Sequence, residues 1–389
     1  MTAHQITSTS EQLLAKARAI TGINDVADPE IEEPLRRLLN SLNNEAQLNV
    51  AGVMAMEKRI LRTLTNRLRM FRDYRDHPEI DDQEIVRPLM LTGGGRTGST
   101  KLHQLIAASG DFKYMTFWQA FYPSLRSGDR AESPDARIRD AEEFVQWFNE
   151  RAPRAVLTHP YETLETEEET HLYEMGTFGF LIFSAVFVPS FIQWYGALDF
   201  RPQVEFFKKT LKYLQWQFHD GDTRPWVLKY PGYQGFEPIL RQVFPDAVFA
   251  TTYRDPLSTL TSGCSLFSAY YEACSDASFD HFIGLAMMEG QAARLQIQMN
   301  TRRDHPDMDI LDISYADLLK STDDVIKRIY AHAGMNLGEQ ARNAMLAWEQ
   351  KNAQHKHGVH KYTLEQFGLT PEIAQGKYSD YIEQFGHLF

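Results

Sequence analysis

The chain reads as an α/β protein: a P-loop-type parallel sheet flanked by helices, with a helical N-terminal region and a C-terminal extension. Three observations predict it. Apolar, β-rich runs at 89–91, 226–230, 247–253 and 308–314 alternate with helical stretches, and that alternation implies parallel strands covered on both faces. The first run leads into LTGGGRTGSTKL (91–102), a glycine turn opening into LHQLIAASG, which has the order strand, loop, helix. The residues before about Pro78 carry helical periodicity and no strand signal.

In that N-terminal region EQLLAKARAI and EIEEPLRRLLNSL read as helices, followed by a long helix from about Glu45 to Tyr74. Its basic stretch, Lys58 to Arg75, places Ile60, Leu64, Leu68 and Phe71 at helical spacing, so its arginines are expected on a solvated face. HPEIDDQEIVRP links this region to the first strand. The expected division is 1–84 helical, 85–345 α/β core and 346–389 closing segment.

Composition excludes several classes. A net charge of −12 over 389 residues makes nucleic acid a poor partner. Two cysteines, Cys264 and Cys274, fit neither a disulfide framework nor a zinc site, so a reducing cytoplasm is expected. Met1 to Asn24 shows no secretion signature. Met175 to Leu198 has no charged residue and the length of a membrane span. Its Gly, Ser, Pro189 and Gln193, and its crowd of aromatics, read instead as a buried helix or pocket wall. No integral span is expected, and peripheral membrane contact stays open.

Chemistry concentrates at strand ends, where ligands of parallel sheets bind. In the loop after the first strand, glycine-freed backbone amides and the start of the next helix form an anion cradle, to which Thr97, Ser99 and Thr100 add hydroxyls. A Walker A loop would carry lysine after Gly98; Ser99 stands there, and the cation is Arg96. A glycine turn without a ligand is the plain alternative. The third run delivers Arg254 to its end, Asp255 and Pro256 turn the chain, and Ser262 follows eight residues after Arg254, about two helical turns on. Arginine there offers a planar fork for a phosphate. WVLKY delivers Lys229.

RTGST, the Arg254–Ser262 pair and the central KYP resemble the sulfotransferases that use 3′-phosphoadenosine 5′-phosphosulfate (PAPS), in their bacterial branch. The resemblance extends from LLAKARAITGI through FWQAFYP to HKYTLEQFGL, most of the chain. It implies that Gly94, Gly95, Arg96, Thr97, Gly98, Ser99 and Thr100 hold the 5′-phosphosulfate, that Arg254 and Ser262 hold the 3′-phosphate, and that Tyr315 of ISYADLL lies beside the adenine. Arg96 and Lys229 would stabilise charge in the transition state. Two departures concern the loop: Gly94 and Gly95 replace a more usual Leu-Pro, and Ser99 a commoner threonine. A third concerns the base, because Tyr230 stands at a serine position and Tyr233 where histidine is usual. Tyrosine is a poor base, so the base is sought in THPYETLETEEETHLYEM: His159 ahead of Glu168, since histidine is half-neutral near pH 6.5, with Glu167 and His171 nearby.

The implied activity is metal-independent transfer of a sulfuryl group from PAPS to a hydroxyl on a lipid, sterol, quinol or phenol type of acceptor. Phe178 to Tyr195, with Trp118 and Phe121, would line the acceptor pocket. Lys356, His357, His360 and Lys361 would fold over a cofactor phosphate, and a homodimer is compatible with the family. Two alternatives stand: a P-loop small-molecule kinase or NTPase, and a non-catalytic nucleotide-binding scaffold that has lost its base.

Overall fold

The computed structural model describes residues 3–126, 135–157, 159–352 and 363–389. Four strands, β1 (Leu89–Leu91), β2 (Val227–Lys229), β3 (Val248–Tyr253) and β4 (Ile310–Ser314), form one parallel sheet in the order β2-β1-β3-β4. Met90 pairs with both Leu228 and Phe249, and Ala250 with Leu311. Each expected strand is present. The chain leaves β1 toward β2 on one side and leaves β3 toward β4 on the other. A crevice therefore opens between the carboxyl ends of β1 and β3, which is where a sheet of this topology binds ligands.

Alternation along the strands divides the core into two layers. Met90, Leu228, Phe249 and Ile310 pack with Val204, Phe207, Leu211 and Leu214 of the helix Arg201–Phe218. Leu89, Leu91, Val227, Ala250 and Ile313 face the other way, onto Leu102, Leu105 and Ile106 of the helix Ser99–Ala107 and Val325, Ile326 and Ile329 of the helix Thr322–His332. Strands buried on both faces must be apolar throughout, which is why such short runs were readable.

The N-terminal helices are Ser10–Thr21, Glu32–Asn44 and Val50–Asp76. The long one starts later than its periodicity predicts, because the Asn49 side chain accepts from the Gly52 N–H and caps it there. Its arginines correct a second expectation. Arg62 and Arg67 are buried, not solvated. Arg59 Nε and Arg62 Nη2 donate to the fully buried Glu174 carboxylate at 2.6 and 2.7 Å. Arg67 binds Asp28 at 2.5 Å and the Met175 carbonyl at 2.6 Å. The reason is a neighbour far along the chain: the helix Thr170–Thr177 lies across this face and brings Glu174 and two carbonyls to it.

The uncharged segment is three short helices rather than one. Thr170–Thr177 ends at Phe178, which takes a left-handed φ of 59°; Gly179–Ala185 follows, and Pro189 starts Pro189–Gly196. Phe178, Ile182, Val186, Val188 and Phe191 are buried in the main core. Among the described residues no helix is long and apolar enough to cross a membrane. At the other end of the chain, Gly284 packs so closely on the Phe367 backbone that a Cβ would lie 2.1 Å from its carbonyl oxygen. Phe385 stacks on Tyr253 at 5.3 Å. The tail is thereby fastened beside β3. Lys356, His357, His360 and Lys361 lie outside the described residues.

Removing Glu174 leaves two buried guanidiniums without their carboxylate. Glu174→Ala is expected to cost about 3–5 kcal/mol of unfolding free energy in urea titration, against little or no change for Glu33→Ala, whose partners are exposed.

Candidate active site

The loop 92–98 is fastened to β3 by a ladder of hydroxyls. Thr92 Oγ1 pairs with Thr251 Oγ1, and Thr97 Oγ1 with Thr252 Oγ1, each at 2.6 Å. Thr97 also donates to the Gly94 carbonyl at 2.6 Å. A hydroxyl has one proton to give, so Thr252 is the donor to Thr97, and Thr97 is occupied in holding the loop rather than in donating to a ligand. Two glycines are required. A Cβ on Gly93 would lie 1.9 Å from Thr252 Oγ1, and Gly98, at φ +87°, would place one 2.7 Å from the Tyr315 ring. Arg96 itself takes a left-handed φ of 67°, an uncommon geometry for a side-chain-bearing residue. Ser99 opens the following helix, buried, with Thr100 half-buried beside it.

Arg96 turns toward β3. Its Nε donates to Ser262 Oγ at 2.9 Å, and Arg254 Nη1 donates to the Arg96 carbonyl, also at 2.9 Å. Ser262 is carried there by the helix Pro256–Tyr271, whose start is capped by the Asp255 carboxylate accepting from the Leu257 and Ser258 N–H groups. The expected Arg254–Ser262 spacing thus converges on the loop cation. The Arg254 guanidinium lies over the Tyr315 ring, 4.3 Å from its centre. Lysine takes no part in the loop: Lys101 is drawn away to Glu349 at 2.6 Å and the Leu318 carbonyl at 3.2 Å.

At the end of β2, Lys229 is buried and ion-paired with Glu168. The three consecutive glutamates here differ in role. Glu169, fully buried, accepts the Lys229 backbone N–H through both carboxylate oxygens, at 2.8 and 2.9 Å, and burial pushes its carboxyl up to about 8. Burial also works to raise Glu168, but the charge of Lys229, then that of His159, outweighs it and holds the carboxyl low. Glu167, buried and then repelled by Glu168, is pushed up. Burial thus works toward the neutral form of Glu167 and Glu169, while Lys229 favours the ionised form of Glu168.

His159 shares this neighbourhood. It is half-buried, and its ring meets Tyr161 edge-on at 5.4 Å. Burial pushes it down to about 4; Glu168 pulls upward, while Lys229 and Arg96 add to the lowering. It is neutral at pH 7 and able to take a proton. His103, on the helix after the loop, is buried with Nε2 3.3 Å from the Val227 carbonyl, and burial together with Lys229 keeps it near 3. His171 packs against Phe117 and Phe121 with Nδ1 3.9 Å from Glu174, beyond hydrogen-bond reach. Tyr233 is fully buried against Tyr173 and Tyr230, and burial raises its phenol well above the usual range. So raised, the Tyr233 phenol is no base at neutral pH. Trp118 is covered by the Arg137 guanidinium at 5.0 Å and by Phe218, while Phe121 joins the cluster of Phe117, Phe144 and His171.

Three contributors carried no recognised signal: Thr251 and Thr252, hidden inside an apolar run, and Glu169, one of three like residues. The pair of threonines just before Tyr253 and Arg254 was the available clue. Among the described residues no group of three or more His, Cys, Asp or Glu side chains is arranged to hold a metal ion.

Residues 88–339 match the model of a family described as "Sulfotransferase family". No curated protein matches the sequence. Among solved structures, sulfotransferase STF9 from Mycobacterium avium superposes with a TM-score of 0.85 at 22% identity, over 97% of each chain. Sulfotransferase STF1 from Mycobacterium tuberculosis H37Rv superposes with a TM-score of 0.81 at 25% identity, over 97% of this chain and 100% of its own. With a strand-end loop, a strand-end arginine and a strand-end lysine gathered at one switch point, and a family match over most of its length, the chain belongs to the sulfotransferase family.

Proposed function

We propose that the chain moves a sulfuryl group from PAPS to a hydroxyl of a hydrophobic acceptor. One observation carries the reading: Arg96, Arg254 and Ser262 form a single hydrogen-bonded set across the β1–β3 crevice, one strand from Lys229. A nucleotide phosphorylated at both ribose ends needs two anion subsites in close order. The loop 94–100 with the start of the helix Ser99–Ala107 suits the 5′-phosphosulfate. Arg254 and Ser262 suit the 3′-phosphate. Arg96, between them, can serve either side. The kinase alternative lacks such support, because Lys101 is committed to Glu349. The scaffold alternative stands on the tyrosine at 233; the low-lying His159, in the field of Glu168 and Lys229, supports a base from elsewhere.

In the reaction the acceptor oxygen attacks sulfur, the bond from sulfur to the bridging phosphate oxygen breaks, and adenosine 3′,5′-bisphosphate leaves. Lys229 and Arg96 stabilise the charge gathering on the leaving phosphate and the transferred group. The acceptor's proton goes to His159, the uncharged base beside Lys229. Glu168, held ionised by Lys229, is the weaker base of the two. The aromatic cluster of Phe117, Phe144, Phe148, Tyr161 and Tyr270 adjoins His159 through Tyr161, and supports an apolar acceptor, phenolic or alicyclic. Two buried free thiols, Cys264 and Cys274, fit a cytoplasmic setting.

Label from sulfur-labelled PAPS is expected to appear on at least one member of a panel of sterols, quinols, long-chain alcohols and phenols; no transfer across the panel would contradict the activity. His159→Ala is expected to lower kcat by roughly a hundredfold or more with nucleotide affinity preserved, and a larger loss in Glu168→Gln than in His159→Ala would reverse the assignment. Because His159 is lowered to about 4, its basic form is present above that pH and lost below it. The kcat/KM for donor should stay level from about pH 7 to 5 and fall toward pH 4; a midpoint near 6.5 would point to an exposed histidine instead.

A further inference from the structure

Tyr315 follows β4 directly, and its backbone is fixed there. Ser314 caps the helix Tyr315–Lys320, its hydroxyl accepting from the Ala316 and Asp317 N–H groups at 3.1 and 3.4 Å. The ring that this places is held on two sides. One edge lies on Gly98, where a Cβ would come within 2.7 Å of Cδ2 and 3.0 Å of Cε2. Its face carries the Arg254 guanidinium, centred 4.3 Å away. The same guanidinium donates Nη1 to the Arg96 carbonyl at 2.9 Å. A ring face and a carbonyl together define the plane and rotation of the fork, which a long, otherwise freely turning arginine would have to settle on each binding event. A guanidinium over an aromatic face is attracted by the ring quadrupole, and more strongly where water is excluded.

We propose that Tyr315 is a positioning residue for 3′-phosphate recognition, acting through Arg254: its ring, seated on Gly98, holds the guanidinium fork aimed into the crevice between β1 and β3. The inference rests on the PAPS reading of the site. It assigns the ring face to Arg254 rather than to the adenine, and it gives Gly98 a second task besides its left-handed turn, that of making room for the ring. An adenine-stacking ring and an arginine-holding ring differ in what they discriminate. The first strengthens every adenine nucleotide, and the second only those with a 3′-phosphate.

Titration calorimetry with adenosine 3′,5′-bisphosphate and with AMP separates the two, on the wild-type chain and on Tyr315→Leu, Tyr315→Phe, Arg254→Ala and the Arg254→Ala/Tyr315→Leu double variant. Tyr315→Leu is expected to weaken the bisphosphate by about tenfold and AMP by less than about twofold. Tyr315→Phe, which keeps the ring, should bind both like wild type. On the Arg254→Ala background Tyr315→Leu should change bisphosphate affinity by less than about twofold, the signature of two residues acting as one unit. Equal weakening of bisphosphate and AMP, or an undiminished effect without Arg254, would overturn the inference while leaving the donor reading intact. A wild-type chain that binds the bisphosphate no tighter than AMP would overturn both. Should Tyr315→Leu lose its cooperative melt, Tyr315→Met fills the space over Gly98 without a π face and reads the same difference.

Discussion

The site depends on a joint between two strand ends that are remote in sequence. β1 ends in a loop that has no regular structure of its own, and what gives it shape is β3: Thr251 and Thr252 hold Thr92 and Thr97, and Arg254 holds the Arg96 carbonyl. These hydroxyls are buried and need partners, and the pairs that satisfy them set the loop beside β3. Gly93 permits the approach, since any side chain there would collide with Thr252. From this joint follow the position of Arg96, its contact with Ser262 on the next helix, and the orientation of the helix whose amino end closes the anion cradle. The parallel register of β1 with β3 places all of these at one level of the sheet.

The second constraint is electrostatic. The chain carries a net charge of −12, and around Lys229 burial works against carboxylate charge. Burial pushes the Glu169 carboxyl up to about 8, Glu167 is raised by burial and by Glu168, and Lys229 holds Glu168 low. Glu169 is also the clamp that fixes the acidic run to β2, through the Lys229 N–H. Lys229 and Glu168 are thus one unit, and His159 titrates in the field of both. Such opposed shifts among neighbouring groups are what proton-transfer sites require.

Much of this was legible in the chain. The strands were readable because their runs are mostly apolar and alternate with helices, although Thr251, Thr252 and Asp312 stand within them; the loop was readable from its glycines, and Arg254 with Ser262 from their eight-residue spacing and the family resemblance. What escaped depends on contacts between distant segments. The Arg59, Arg62 and Arg67 side chains look like a solvated stripe until the helix Thr170–Thr177 is laid across them. Tyr233 reads as a missing base, and its packing against Tyr173 and Tyr230 was not legible. Thr97 reads as a ligand donor, although its proton goes to the Gly94 carbonyl. Periodicity reports which face is apolar; it does not report what covers the other face.

The proposed occupant of the β1–β3 crevice is a nucleotide bearing phosphates at both ribose ends. Titration of the wild-type chain with adenosine 3′,5′-bisphosphate and with ATP, each with and without magnesium, tests it most directly. Binding of the bisphosphate that is tighter than that of ATP and unchanged by magnesium is the predicted result. A preference for magnesium-ATP would contradict it.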